Sequence, residues 1–174
     1  VAGLLGCGRR GAPVPPLPAA PAAAGAVHAD LLDSAILLTW DRPSRNQDGS
    51  PLIDLLEFRL FRGVGPTAPR EARGRPTFSL LATVRADQPE NAVVRDDRYA
   101  FRDEGGSAGF TPGLRYSYRL QAVNRRGVVG AQSAEVSVDF TLAPAPPVGL
   151  VAVAGDGVVN LTWQSPAGPA SAGA

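Results

Sequence analysis

Between Arg115 and Gly127 the chain reads RYSYRLQAVNRRG. Tyr116, Tyr118, Leu120 and Ala122 alternate there with Ser117, Arg119 and Gln121, the period-two pattern of a strand that buries one face. The turn-prone Asn124 and Gly127 close this strand, and a β-rich run, Ala134 to Leu142, stands where a hairpin partner should lie. Upstream, Ile36, Leu38 and Trp40 alternate with Leu37 and Thr39 until Pro43 ends the run. The stretch LLEFRLFRG, 55–63, turns Leu56, Phe58 and Leu60 inward and Glu57 and Arg59 outward, onto a face shared with Arg119. Phe78 to Val84 form a further apolar run, and Tyr99 and Phe101 alternate into Asp103. Gly63 to Pro76 read as a long Gly/Pro/Arg loop, and Asp87 to Arg98 as a polar connection around Val93 and Val94. The predicted elements are all strands, which gives an all-β sandwich.

Taken in order, Trp40, Tyr116, Asn124 and Gly127 resemble the signature of a fibronectin type III domain, an immunoglobulin-like β-sandwich. The resemblance makes the Trp40 strand B, 55–63 strand C, the Phe78 run C′, the Tyr99 run E and the Tyr116 strand F. It implies that Trp40 is the core tryptophan and Tyr116 the tyrosine corner. The domain is expected over residues 26–142. APAPP, 143–147, follows as a linker, and the pattern then restarts: DGVVNLTWQSP, Asp156 to Pro166, repeats DSAILLTWDRP, Asp33 to Pro43, with Trp163 in the place of Trp40. Two strands cannot close a core, so residues 148–174 are expected to be the truncated, poorly ordered start of a second such domain.

Composition adds an address. Hydrophobic residues at 44% are enough for one core. The net charge is +1, and the seventeen basic residues, all Arg, are scattered among sixteen acids, which excludes a nucleic-acid footprint. One Cys excludes an internal disulfide. Leu4-Leu5-Gly6-Cys7 resembles the lipobox of bacterial lipoproteins, which implies that residues 1–7 are the end of a signal peptide with its lipobox and that Cys7 carries the lipid. The chain starts at Val1 and lacks Met, so an upstream portion of that signal is expected. More than one acyl chain anchors stably to a membrane, and Gly8 after the Cys implies the outer membrane. Residues 8–25, GRRGAPVPPLPAAPAAAG, are too poor in large apolar side chains to fold and are expected to be a Pro-rich tether.

Catalytic chemistry finds little to build on. The sole His, His28, has no Ser or Asp partner set by a motif, and neither Cys-His metal spacing nor a phosphate-binding Gly loop is present. Asp96/Asp97 and Asp103/Glu104 are neighbours that point to opposite faces in extended chain, a poor acid/base geometry. Ser44 to Leu55 matches a calcium loop at Asn46, Asp48 and Gly49 but offers Ser at the first ligand position and Leu at the twelfth, so it reads as a turn. There is no Arg-Gly-Asp tripeptide. The expectation is a non-catalytic envelope lipoprotein without cofactors, displaying fibronectin-like domains as a binding or spacer module. Its partners would be the membrane, through Cys7, and a protein or polysaccharide ligand. Two alternatives stand beside it: a spacer region of a larger secreted polysaccharide-active enzyme, and an assembly lipoprotein of the outer membrane.

Overall fold

The computed structural model describes residues 19–67, 76–141 and 146–165; Cys7, the residues expected to form a lipobox with it, and most of the Pro-rich stretch lie outside these residues. One antiparallel sheet holds β1 (Gly25–Leu32), β2 (Ala35–Asp41), β6 (Arg98–Asp103) and β5 (Val93–Arg95), in that spatial order. The other runs β4 (Phe78–Arg85), β3 (Leu55–Pro66), β7 (Leu114–Asn124), with β8 (Val129–Gln132) and β9 (Val136–Asp139) both paired to β7. The strands assigned B and E, β2 and β6, are thus neighbours in one sheet, and those assigned C′, C and F, β4, β3 and β7, in the other, as in a fibronectin type III-type sandwich. A separate two-stranded sheet joins β10 (Val148–Ala154) to β11 (Val159–Gln164).

The core lies where the alternation points. Ile36, Leu38 and Trp40 from β2 are fully buried against Phe58 and Leu60 of β3 and Tyr118 and Leu120 of β7. Trp40 stacks on Tyr99 with centroids 5.5 Å apart and meets Phe58 edge-on, also at 5.5 Å. Aromatic pairs of this kind add ~0.5–1.5 kcal/mol to the area they bury. A second aromatic cluster, Phe110, Tyr116 and Phe140, closes the end of the sandwich at which β7 begins.

Five expectations are corrected. In β3, Leu55 is buried and Leu56 only half-buried, because the register with β7 shifts between Leu55 and Glu57 and breaks the strict alternation. The Asp87–Arg98 connection contains a strand: Val93–Arg95 pairs with β6 through the two-residue turn Asp96-Asp97, both residues at positive φ (49° and 62°), as a type I′ hairpin requires. The partner of β7 comes in two pieces, because Ser133 breaks the ladder. Its hydroxyl accepts the Leu120 N–H at 3.0 Å and donates to Ala134 O at 2.8 Å.

The fourth correction moves the boundary of the domain. Residues expected to belong to the tether are docked from Ala19 on. Pro21 is fully buried; its carbonyl accepts the Ala131 N–H at 3.0 Å and the Gln47 Nε2 at 3.3 Å. Ala22 N–H bonds Arg45 O at 3.0 Å, and Gln47 N–H bonds Ala20 O at 2.8 Å. Gly130 makes room for this strap, since a Cβ there would stand 2.4 Å from Pro21 O. The folded unit thus begins ahead of position 26, laced between the β2–β3 loop and β8.

The repeat in sequence is a repeat in backbone. His28 pairs with Thr39, and Val151 with Thr162; both hairpins shift register at matching places, between Gly25 and His28 and between Val148 and Val151. The bulge residues, Ala26 at φ 43° and Gly149 at φ 65°, share the left-handed conformation. Residues 148–164, expected to be poorly ordered, form this hairpin.

Candidate functional site

Of the residues singled out by sequence, Cys7 lies outside the described residues. Trp40 sits in the core, and Tyr116 is buried at the start of β7, its hydroxyl accepting the Thr111 N–H at 2.8 Å, five residues upstream. Asn124 and Gly127 come together in the β7–β8 turn, where Gly127 holds φ 78° and bonds Asn124 O at 2.9 Å. The buried Asn124 side chain accepts from Arg126 N (3.1 Å) and Val128 N (2.9 Å) and donates to Ala19 O at 3.1 Å. It therefore shapes the turn and holds the strap. Trp163, on β11, is 58% exposed, whereas its counterpart Trp40 is fully buried.

The calcium-like loop is a turn held by its own side chains. Asp48 Oδ1 accepts from Ser50 N at 2.9 Å and Ser50 Oγ at 2.6 Å, bonds that hold its carboxyl below the usual range. Asn46 Nδ2 donates to Ser50 Oγ and Pro51 O. Among the described residues no three His, Cys, Asp or Glu side chains converge as metal ligands would. His28 lies on β1 opposite Thr39.

Two outer faces remain as places to meet a partner. On the five-stranded sheet, strand pairing sets Leu80, Phe61 and Arg119 in one row, Phe78, Gly63, Ser117 and Ser137 in the next, and Thr83, Arg59, Gln121 and Gln132 in a third. Gly63 lacks a side chain where Phe78 crosses it; a Cβ would come 3.3 Å from the ring. The ring reaches Arg119, whose guanidinium carbon lies 4.1 Å from its centroid, while Arg119 Nη2 bonds Glu135 Oε2 at 2.6 Å. Such a cation–π contact is worth ~0.5–1 kcal/mol at an exposed site. The result is a fixed platform with apolar surface at Phe61 and Leu80 and planar donors around it. As expected, Glu57 and Arg59 share this face with Arg119, but they pair with each other at 3.1 Å.

On the opposite sheet a shallow groove of about 720 Å³ lies over Thr39 and Ala100, small residues facing each other across β2 and β6. Its rim carries Arg98, which bonds Asp41 and Thr39 Oγ1 at 3.2 Å each, together with Val93 and Arg95 of β5.

Sequence reasoning missed one group, buried between the sheets. Asp103 is 3% exposed; Arg62 Nη1 reaches both its oxygens at 3.0 Å, Tyr118 Oη donates at 2.9 Å and Gly105 N at 2.9 Å. Burial, with the Asp103 carboxylate adding to it, pushes the Tyr118 hydroxyl far above its ordinary range, so it remains a donor. Three strands meet in this network, which ties the sheets together. Its signal was faint: an acid ending a strand, with partners 41 and 15 residues away.

No family model matches the chain, and no curated protein does. Among solved structures, the third fibronectin III domain of human KIAA0343 protein is similar at 16% identity and TM-score 0.48, covering 82% of this chain and all of that one. The twitchin kinase region from C. elegans aligns at 18% identity and TM-score 0.42, over 70% of this chain and 17% of that one. A β-1,2-glucanase from Parabacteroides distasonis aligns at 18% identity and TM-score 0.39, over 74% of this chain and 15% of that one.

Proposed function

We propose that the chain is a non-catalytic cell-envelope lipoprotein, held at the outer membrane by acyl chains on Cys7, whose fibronectin type III-type domain serves as a binding or spacer module. The observation that carries this reading is the lipobox-like run standing ahead of the folded unit. The single Cys stands in Leu4-Leu5-Gly6-Cys7, and the folded unit behind it includes Ala19.

The spacer role draws support from the ends of the domain. Ala19 docks at the Asn124 end of β7, while Phe140 bonds Leu114 at the other end, N to O at 2.9 Å. The chain thus enters at one pole and leaves at the opposite one, and the 11 residues of β7 at ~3.3 Å each separate the poles by roughly 35 Å. The binding role draws support from the Phe61, Leu80 and Phe78 platform, where a protein or polysaccharide would rest. Its ion pairs balance the charge of that face, which favours a partner without strong net charge.

Mass spectrometry of the membrane-extracted protein tests the anchor. Acylated Cys7 as the mature N-terminus is expected, with loss of membrane retention in Cys7→Ser. An unmodified thiol in a chain that fractionates without membrane would overturn the reading.

A further inference from the structure

The two sheets of the sandwich present four edges, and three of them are guarded. β1 is bent at Ala26, whose φ is 43°, and carries His28 and Asp30. β5 is three residues long and ends in Arg95. Beyond β7, Pro21 O takes the Ala131 N–H of β8, and β9 is a four-residue piece ending in Asp139. Short strands, charges, bulges and covering segments are the means by which folded proteins keep their edges from pairing with other chains.

β4 is the exception. It is eight residues long, and Phe78 to Val84 contain no charge, proline or glycine. Among the described residues its outer edge is interrupted only by a bulge at Leu81, where the register with β3 shifts, and by Asn91 Nδ2, which donates to Thr83 O at 3.2 Å. That bond also gives the direction of the edge: Thr83 turns its carbonyl away from β3, and its N–H points the same way. Leu80 is 56% exposed on the outer face, in the row beside that of Phe78, while Leu81 and Ala82 are half-buried against the core.

We propose that the β4 edge receives an extended, uncharged strand of a partner protein, which adds to the five-stranded sheet. This deepens the binding-module reading, on which it rests, and commits the partner to a protein. Backbone hydrogen bonds to the edge give the affinity. One side of the added strand packs beside Phe78 and Leu80, the other beside Leu81 and Ala82, so apolar side chains fit at successive positions and a buried charge is rejected.

The test uses the full chain with Cys7→Ser, so no outcome depends on acylation. The probe is a phage-displayed library of random peptides of about ten residues, long enough to span a typical strand. Enriched sequences should be uncharged, free of proline and rich in β-branched and aromatic residues. A synthetic peptide of the strongest sequence should bind Leu80→Lys at least roughly tenfold more weakly. The melting temperature of that variant should hold, because Leu80 makes no part of the core. N-methylation of alternate peptide amides should abolish binding for one set and spare it for the other, since only one set faces the sheet. The Thr83 amide should exchange freely in the free chain and slowly once peptide is bound. Peptides that ignore Leu80→Lys, or tolerate both N-methylated sets, would overturn the edge while leaving a binding module with another site. No enrichment at all would overturn the protein partner itself. A Thr83 amide already protected in the free monomer would overturn the proposal by placing the cover within one chain, and a dimer dispersed by Leu80→Lys would do so by making the occupant a second copy.

Discussion

Removing the Asp103 carboxylate should be among the most damaging single changes in the domain, although position 103 is polar. In Asp103→Ala, Tyr118, fully buried, is left with a hydroxyl that water cannot reach, a loss of ~1–3 kcal/mol. Arg62, 22% exposed, recovers part of its hydration but loses two 3.0 Å contacts, and Gly105 N–H loses its acceptor. Breaking a buried pair in this way costs ~3–5 kcal/mol. That is a large share of the ~5–15 kcal/mol that holds a domain folded. Tyr118→Phe removes a donor together with its need for an acceptor, so its expected cost is ~1 kcal/mol. Replacing the group together, as Arg62→Met, Asp103→Leu and Tyr118→Phe, should be far milder than Asp103→Ala alone, because no unpaired charge stays behind. Urea unfolding in a Trp163→Phe background, with Trp40 as the reporter, measures all three. If Asp103→Ala came within ~1 kcal/mol of the parent, or no worse than Tyr118→Phe, the carboxylate would not be holding buried partners and the reasoning would fail.

Two further changes probe the strap and the surface ion pairs. Gly130→Ala places a Cβ 2.4 Å from Pro21 O and 3.0 Å from Ala122 O; it should cost ~1–3 kcal/mol and make the chain near Ala19–Ala24 a new site of limited proteolysis. Unchanged stability and an unchanged cleavage pattern would show that the strap accommodates the methyl group. Asp139 accepts two bonds from Arg115, at 2.6 and 2.8 Å, which hold its carboxyl below the ordinary 3.8. A depressed folded pKa stabilises the fold above the unfolded value, and that contribution is lost as pH falls through the folded one. The melting-temperature gap between the parent and Asp139→Asn should therefore be constant near neutrality and close below about pH 4; a gap that widens in acid would contradict the assignment.

Much of the sandwich was legible because burial follows a local rule. Trp40, Phe58, Tyr118 and Leu120 each sit on the side their alternation assigns. What escaped was decided by contacts between distant residues. The buried side of Leu55 depends on a register shift against β7, which no window of the sequence contains. Pro21 hid inside a Pro- and Ala-rich run whose composition reads as unfolded, since its partners are Gly130 and Ala131 at the far end of the domain. Val93–Arg95 was missed because its turn is Asp-Asp rather than the Asn-Gly that announces such hairpins. Of the outer platform, Arg119, Arg59 and Glu57 could be foreseen on one face. The crossing of Phe78 over Gly63 to reach Arg119 could not, since it spans three strands.

The buried proline has a practical consequence for anyone excising this unit. A version cut at Ala26, where the alternating pattern starts, would carry a vacant slot beside Gly130, an Ala131 amide with no acceptor and an Asn124 amide pointing at solvent. Such a protein would misrepresent the parent, melting low and presenting a groove that the intact chain fills with its own backbone. Ligand screens run on it would risk selecting molecules that imitate proline rather than the natural partner.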